Sequence, residues 1–106
     1  YIIAPAEASA NLARYDGVVC LTNAVVAAPL DMPFDAYFGK VRRLPIGAAG
    51  NLAGLPAISL PNGFGERGLP TAMQIVGRVG SENSILAVAR AYQARTDWHT
   101  RRPEVG

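Results

Sequence analysis

The side chains with intrinsic reactivity are few: His99, Cys20, Lys40 and four serines, Ser9, Ser59, Ser81 and Ser84. Nucleophilic catalysis needs a hydroxyl or thiol within hydrogen-bond reach of a base. His99 lies in a polar tail between Trp98 and Thr100, and its local spacing does not build a Ser-His-Asp arrangement. Cys20 sits in the apolar run Val18–Leu21, where a thiol packs as a small hydrophobe. Lys40 stands beside Arg42 and Arg43 in a group that reads as surface. Ser81 reads as a helix cap and Ser59 as a strand residue, and neither lies in a Gly-x-Ser-x-Gly elbow. One histidine and one cysteine do not make an internal zinc site. The residues therefore yield no catalytic group, no metal ligand and no cofactor site. The glycine-rich stretch from Pro45 to Pro56 is not followed by Gly-Lys-Ser/Thr and does not match the dinucleotide fingerprint.

Composition narrows the class further. Half of the 106 residues are hydrophobic and the net charge is +2, which argues for a packed chain rather than a disordered one. Two small basic groups, Lys40 with Arg42 and Arg43, and Arg101 with Arg102, read as solvated surface. A nucleic-acid module would carry a broader stripe or a motif, so no direct nucleic-acid site is expected. A single cysteine excludes an internal disulfide and fits a reducing compartment, the cytoplasm or an organelle matrix. No segment has the length of a transmembrane helix, and there is no secretory signal, so no membrane partner is expected. The chain opens on Tyr1-Ile2-Ile3-Ala4, which suggests that an upstream part is missing.

Several elements must position whatever site exists. Pro5 to Arg14 predicts a helix: alanine is the best helix former, and Pro5 suits the first turn. Within Val18 to Ala28, valine-rich and apolar, part predicts a buried strand, broken by Pro29, Asp31 and Pro33. Phe34 to Arg43 is a candidate short helix. Pro45 to Pro56 reads as a packed loop with a short helical turn. Ala57 to Leu60, closed by Pro61, and Thr71 to Val76 predict two strands. The link between them is too short for a crossover helix, so they should pair antiparallel. Ser81 and Glu82 open a helix ending near Arg95, with Ile85, Val88, Ala89 and Tyr92 as its buried stripe and Leu86 broadening it. Trp98 anchors the polar tail. The order is that of an α/β fold.

Two segments carry a family resemblance. The first is Asn51-Leu-Ala-Gly-Leu-Pro-Ala-Ile-Ser-Leu-Pro61, then Gly63-Phe64, Gly68-Leu-Pro70 and Gln74-Ile-Val-Gly77. The second is Tyr1 to Val18, with Ala4-Pro-Ala-Glu-Ala-Ser9 and Tyr15-Asp-Gly17. Together they resemble the carboxy-terminal part of the amidase-signature family. Thr96-Asp-Trp-His99 and Arg101-Arg-Pro103 resemble the end of its amidotransferase A subunits. The resemblance implies a partial amidase-signature fold, a mixed sheet with packed helices, spanning 1–106 as one partial or degenerate domain without a separate linker domain. It implies amide hydrolysis by a Ser–cis-Ser–Lys triad, with glutamine as the ammonia source for a partner subunit. No residue here matches that triad, so the chain is expected to be inactive alone, serving as a structural and substrate-pocket part. The alternative is a degenerate binding or assembly protein. Tyr1 falls where the family contacts substrate, and Gly50, Asn51, Gly54 and Pro56 would support the pocket walls. Expected partners are the missing amino-terminal amidase portion, amidotransferase subunits and a second copy of the chain. The family has a long helical stretch where only 33 residues separate Gly17 from Asn51 here, and Leu44 falls where an acidic residue is usual.

Overall fold

The computed structural model describes residues 16–23, 25–40 and 45–104, with the backbone alone for 38–40 and 45–48. The expected first helix, Pro5 to Arg14, and Tyr1 lie outside the described residues.

Three strands form one sheet in the order β1-β3-β2: β1 is Gly17–Leu21, β2 is Ala57–Phe64 and β3 is Pro70–Gly77. β2 and β3 pair antiparallel as the short link demanded, with Ile58 opposite Ile75 and Leu60 opposite Met73. β1 pairs antiparallel with the other side of β3, placing Val19 opposite Ile75 and Leu21 opposite Met73. Strands alternate their side chains, so Val19, Leu21, Ile58, Leu60, Met73 and Ile75 share one face. With its packed helices this is the α/β arrangement expected of part of an amidase-signature fold. All three described strands run antiparallel to their neighbours.

Helix α3, Glu82–Gln93, covers that face. Leu60, Ile75, Ile85 and Ala89 make the buried cluster, with Ile58, Met73 and Tyr92 packed around it. Val88 is 52% exposed and Leu86 53% exposed, so neither belongs to the buried stripe. Of the expected stripe, Ile85, Ala89 and Tyr92 are the residues that join the cluster on the sheet. Gly77 sits where α3 begins: a Cβ there would fall 2.7 Å from Ile85 Cγ2 and against the Ser81 hydroxyl. Ser81 precedes the helix as expected, yet its hydroxyl donates to the Arg78 carbonyl at 2.6 Å instead of capping a helix amide.

The stretch expected to be a loop is a nine-residue helix. α1 is Phe34–Lys40 and α2 is Pro45–Ala53. At the end of α2 the Gly54 amide donates to the Asn51 carbonyl at 3.2 Å and the Leu55 amide to the Gly50 carbonyl at 3.1 Å. Gly54 adopts φ 65. This is a Schellman motif, in which glycine takes the left-handed position that closes a helix. Pro61 does not close β2, which runs on to Phe64 through a register shift between Pro61 and Gly63. The Gly77 amide donates to the Pro56 carbonyl at 2.9 Å, so alternate residues of β2 bond β3 and Pro61 falls on the outward set. Its missing N–H costs the ladder nothing.

Trp98 anchors the tail as expected. Its ring meets Phe64 of β2 edge to face, centroids 6.0 Å apart, and the Arg101 guanidinium lies 4.5 Å from the Trp98 centroid. Asp97 accepts two hydrogen bonds from Arg101 at 3.1 and 3.2 Å, holding that cation over the ring.

Candidate functional site

An open groove of about 800 Å³ lies between the segment after β1 and the β2–β3 connection, with Tyr37 of α1 on its wall. Its walls are largely apolar, with Val25, Val26, Pro29 and Met32 on one side and Pro70 and Ala72 on the other. Polar groups stand at intervals: Thr22, Asn23, Glu66, Arg67 and Thr71.

Two contacts hold the groove's walls together. The Arg67 guanidinium donates to the Ala27 carbonyl at 3.0 Å, tying the hairpin connection to a segment forty residues earlier. Arg67 itself stands at φ 58, a left-handed backbone uncommon for any residue with a side chain. Next to it, Gly65 meets Val26: a Cβ at 65 would fall 2.8 Å from Val26 Cγ1 and 3.1 Å from Thr71 Cγ2. Only glycine admits that approach without displacement. The Thr71 hydroxyl donates to Asn62 Oδ1 at 2.8 Å. Sequence reasoning missed Arg67, which lies in the short link between the two predicted strands. The available signal was a charged pair framed by Gly65 and Gly68.

The arrangement can enclose an apolar group beside hydrogen-bonding ones. Nothing in it pairs a nucleophile with a base. The Ser59 hydroxyl meets another hydroxyl, that of Thr22, at 2.9 Å. Cys20 is half-buried in β1, His99 is exposed in the turn Trp98–Thr100, and Lys40 ends α1. Among the described residues no group of three His, Cys, Asp or Glu side chains could hold a metal ion, and no polar or charged residue is buried. Among them, too, no helix is long and apolar enough to cross a membrane.

Gly50, Asn51, Gly54 and Pro56 come together at the turn from α2 into β2, and none of them lines the groove. Gly50 is buried against the sheet, where a Cβ would reach Val76 Cγ1 at 3.5 Å. Asn51 is exposed and contributes its carbonyl, and Pro56 contributes the carbonyl that starts the β2–β3 ladder. Tyr1 is outside the described residues.

No family profile matches the chain. The sheet, the packed helices and the ordered segment from Asn51 to Gly77 nonetheless have clear relatives, and by homology the chain belongs to the amidase-signature family. Within it, the relatives are glutamyl-tRNA(Gln) amidotransferase A subunits. The subunit of Roseiflexus castenholzii is 49% identical over 80 residues, covering 76% of this chain and 15% of that protein. The subunit of a Picosynechococcus species is 38% identical over 97 residues, covering 88% of this chain and 19% of that protein. The crystal structure of the Thermotoga maritima subunit superposes with a TM-score of 0.65 at 31% identity, over 87% of this chain and 20% of that one. The chain thus spans about a fifth or less of the length of these relatives.

Proposed function

We propose that this chain is the structural and substrate-pocket part of an amide hydrolase of the amidotransferase A-subunit type, and that it does not hydrolyse amides alone. One observation carries the reading: 49% identity to an A subunit runs through three quarters of the chain but through 15% of the relative. The described residues offer no activated serine, and an acyl intermediate needs one together with a base. In this reading Gly50, Asn51, Gly54 and Pro56 act from behind the pocket. They fix the direction in which α2 hands the chain to β2, and so the placement of a wall whose reacting groups come from elsewhere. Tyr1 is assigned to substrate contact. The carboxamide is glutamine, and the partners are the amino-terminal amidase portion and further amidotransferase subunits. Complementation tests this. Glutaminase activity is expected when the chain is combined with the preceding portion of an A subunit, and not with either piece alone. Failure of the two pieces to associate or to restore turnover would reject it.

A further inference from the structure

The connection between β2 and β3 holds two other parts of the chain at once. On one side Phe64 meets the Trp98 ring, and the Arg101 guanidinium lies over both rings, 5.9 Å from the Phe64 centroid and 4.5 Å from that of Trp98. On the other side Gly65 packs against Val26, and the Arg67 guanidinium donates to the Ala27 carbonyl. Phe64 and Arg67 are three residue steps apart, a span of at most about 11 Å. The steps between them are stiff. The Gly65 amide donates to the Leu69 carbonyl at 2.8 Å, the Gly68 amide to the Gly65 carbonyl at 3.2 Å and the Leu69 amide to the Glu66 carbonyl at 3.2 Å. Arg67 and Gly68 both take the left-handed backbone, at φ 58 and φ 66. The two parts it holds are less regular. The groove wall from Val26 to Met32 closes on itself through the Met32 amide, which donates to the Pro29 carbonyl at 3.1 Å. The tail closes through the Thr100 amide, which donates to the Asp97 carbonyl at 3.0 Å. Segments with sparse, exposed backbone hydrogen bonds open at lower free energy than core helices and strands.

From this we infer that the β2–β3 connection couples the tail to the groove: seating of Trp98 on Phe64 and closure of the Val26–Met32 wall through Arg67 favour one another. With Trp98 seated, Phe64 is fixed, and the stiff connection presents Arg67 where the Ala27 carbonyl accepts. Lifting Trp98 frees Phe64, which is 49% exposed even with that ring in place. The Gly65 contact transmits the shift because it has no slack: a Cβ there would fall 2.8 Å from Val26 Cγ1. Coupling between two sites is reciprocal, so loss of the Arg67 hydrogen bond must also loosen the tail. Whatever lifts Trp98 thereby loosens the groove wall.

Amide hydrogen exchange on the 106-residue chain reads both ends. The Met32 amide reports the groove wall, the Thr100 amide the tail, and the Ala89 amide in α3 the core. R67G removes the guanidinium, and glycine takes the φ 58 backbone without strain. In R67G the Thr100 amide should exchange about fivefold faster or more, with Ala89 unchanged. W98A should accelerate Met32 by a similar factor, again with Ala89 unchanged. Added to R67G, W98A should accelerate Met32 clearly less, because the link is already weakened. If W98A accelerates Ala89 as well, R101Q replaces it with the same expectation, since it removes only the cation over the rings. An R67G chain with unaltered Thr100 exchange would overturn the inference, as would unaltered Met32 exchange in W98A or R101Q. So would acceleration of Ala89 in step with the other two amides in R67G or R101Q, or an equal effect of W98A with and without Arg67. None of these readouts uses hydrolysis or another polypeptide, so their failure is separate from failure of the proposed function.

Discussion

Gly50 and Gly54 stand four residues apart in one glycine-rich stretch and answer to different constraints. Gly54 needs its glycine for the backbone, because φ 65 places it in the left-handed region with open space around it. A Cβ in that region costs about 1–2 kcal/mol, offset in part by the lower entropy of the unfolded chain. Gly54→Ala should therefore destabilise by about 1 kcal/mol, seen as a lower urea midpoint. Gly50 lies inside α2, where a Cβ would make an ordinary contact with Val76. Gly50→Ala should be neutral or stabilising by up to about 1 kcal/mol through helix propensity. Equal losses at both positions would show that packing, not backbone geometry, governs the turn. The composition of the stretch announced tight turns. It could not say which glycine needed a positive φ, because that depends on where the helix stops.

At the scale of elements, α3 separates periodicity from burial. Ile85→Ala should cost about 2–5 kcal/mol, since Ile85 is 6% exposed in the core cluster. Val88→Ala should stay within about 0.5 kcal/mol, as expected for an exposed site. Chemical denaturation of the two variants checks the pair, and a large loss at Val88 would mean that the helix presents another face. The 3.6-residue period located this helix. Its stripe came out too wide because the width depends on the surface beneath, a three-stranded sheet whose order the sequence does not spell out. The antiparallel β2–β3 pair was legible for a local reason, the short link. α2 was not: Gly47 and Gly50 each lower helix propensity by about 1 kcal/mol relative to alanine. Packing of Gly50 on Val76 and the Gly54 cap override that penalty. Pro61 misled in the same way, since a proline ends a strand only where its amide is needed. The groove was the least legible feature. It is assembled by Arg67 and Ala27, forty residues apart, and periodicity has no reach over that distance.

At the scale of the whole molecule, the described core is thin. It consists of Leu60, Ile75, Val76, Ile85 and Ala89, while Val19, Leu21, Leu86 and Val88 are each more than half exposed. A family member that spans about 15% of its relative is expected to show such a surface, with apolar faces that a longer chain or a second copy would cover. The family was legible because the ordered series from Asn51 to Gly77 is also the structural unit: the end of α2, its cap, β2 and β3. The expectation of inactivity rests on the absence from this sequence of residues matching the family's Ser–cis-Ser–Lys triad. Ammonia release from glutamine and from simple amides, measured on the purified 106-residue chain with its mass confirmed, tests that expectation most directly. Release at the level of the protein-free blank is the result expected. Turnover well above the blank that disappears in Ser59→Ala or Lys40→Ala would contradict it.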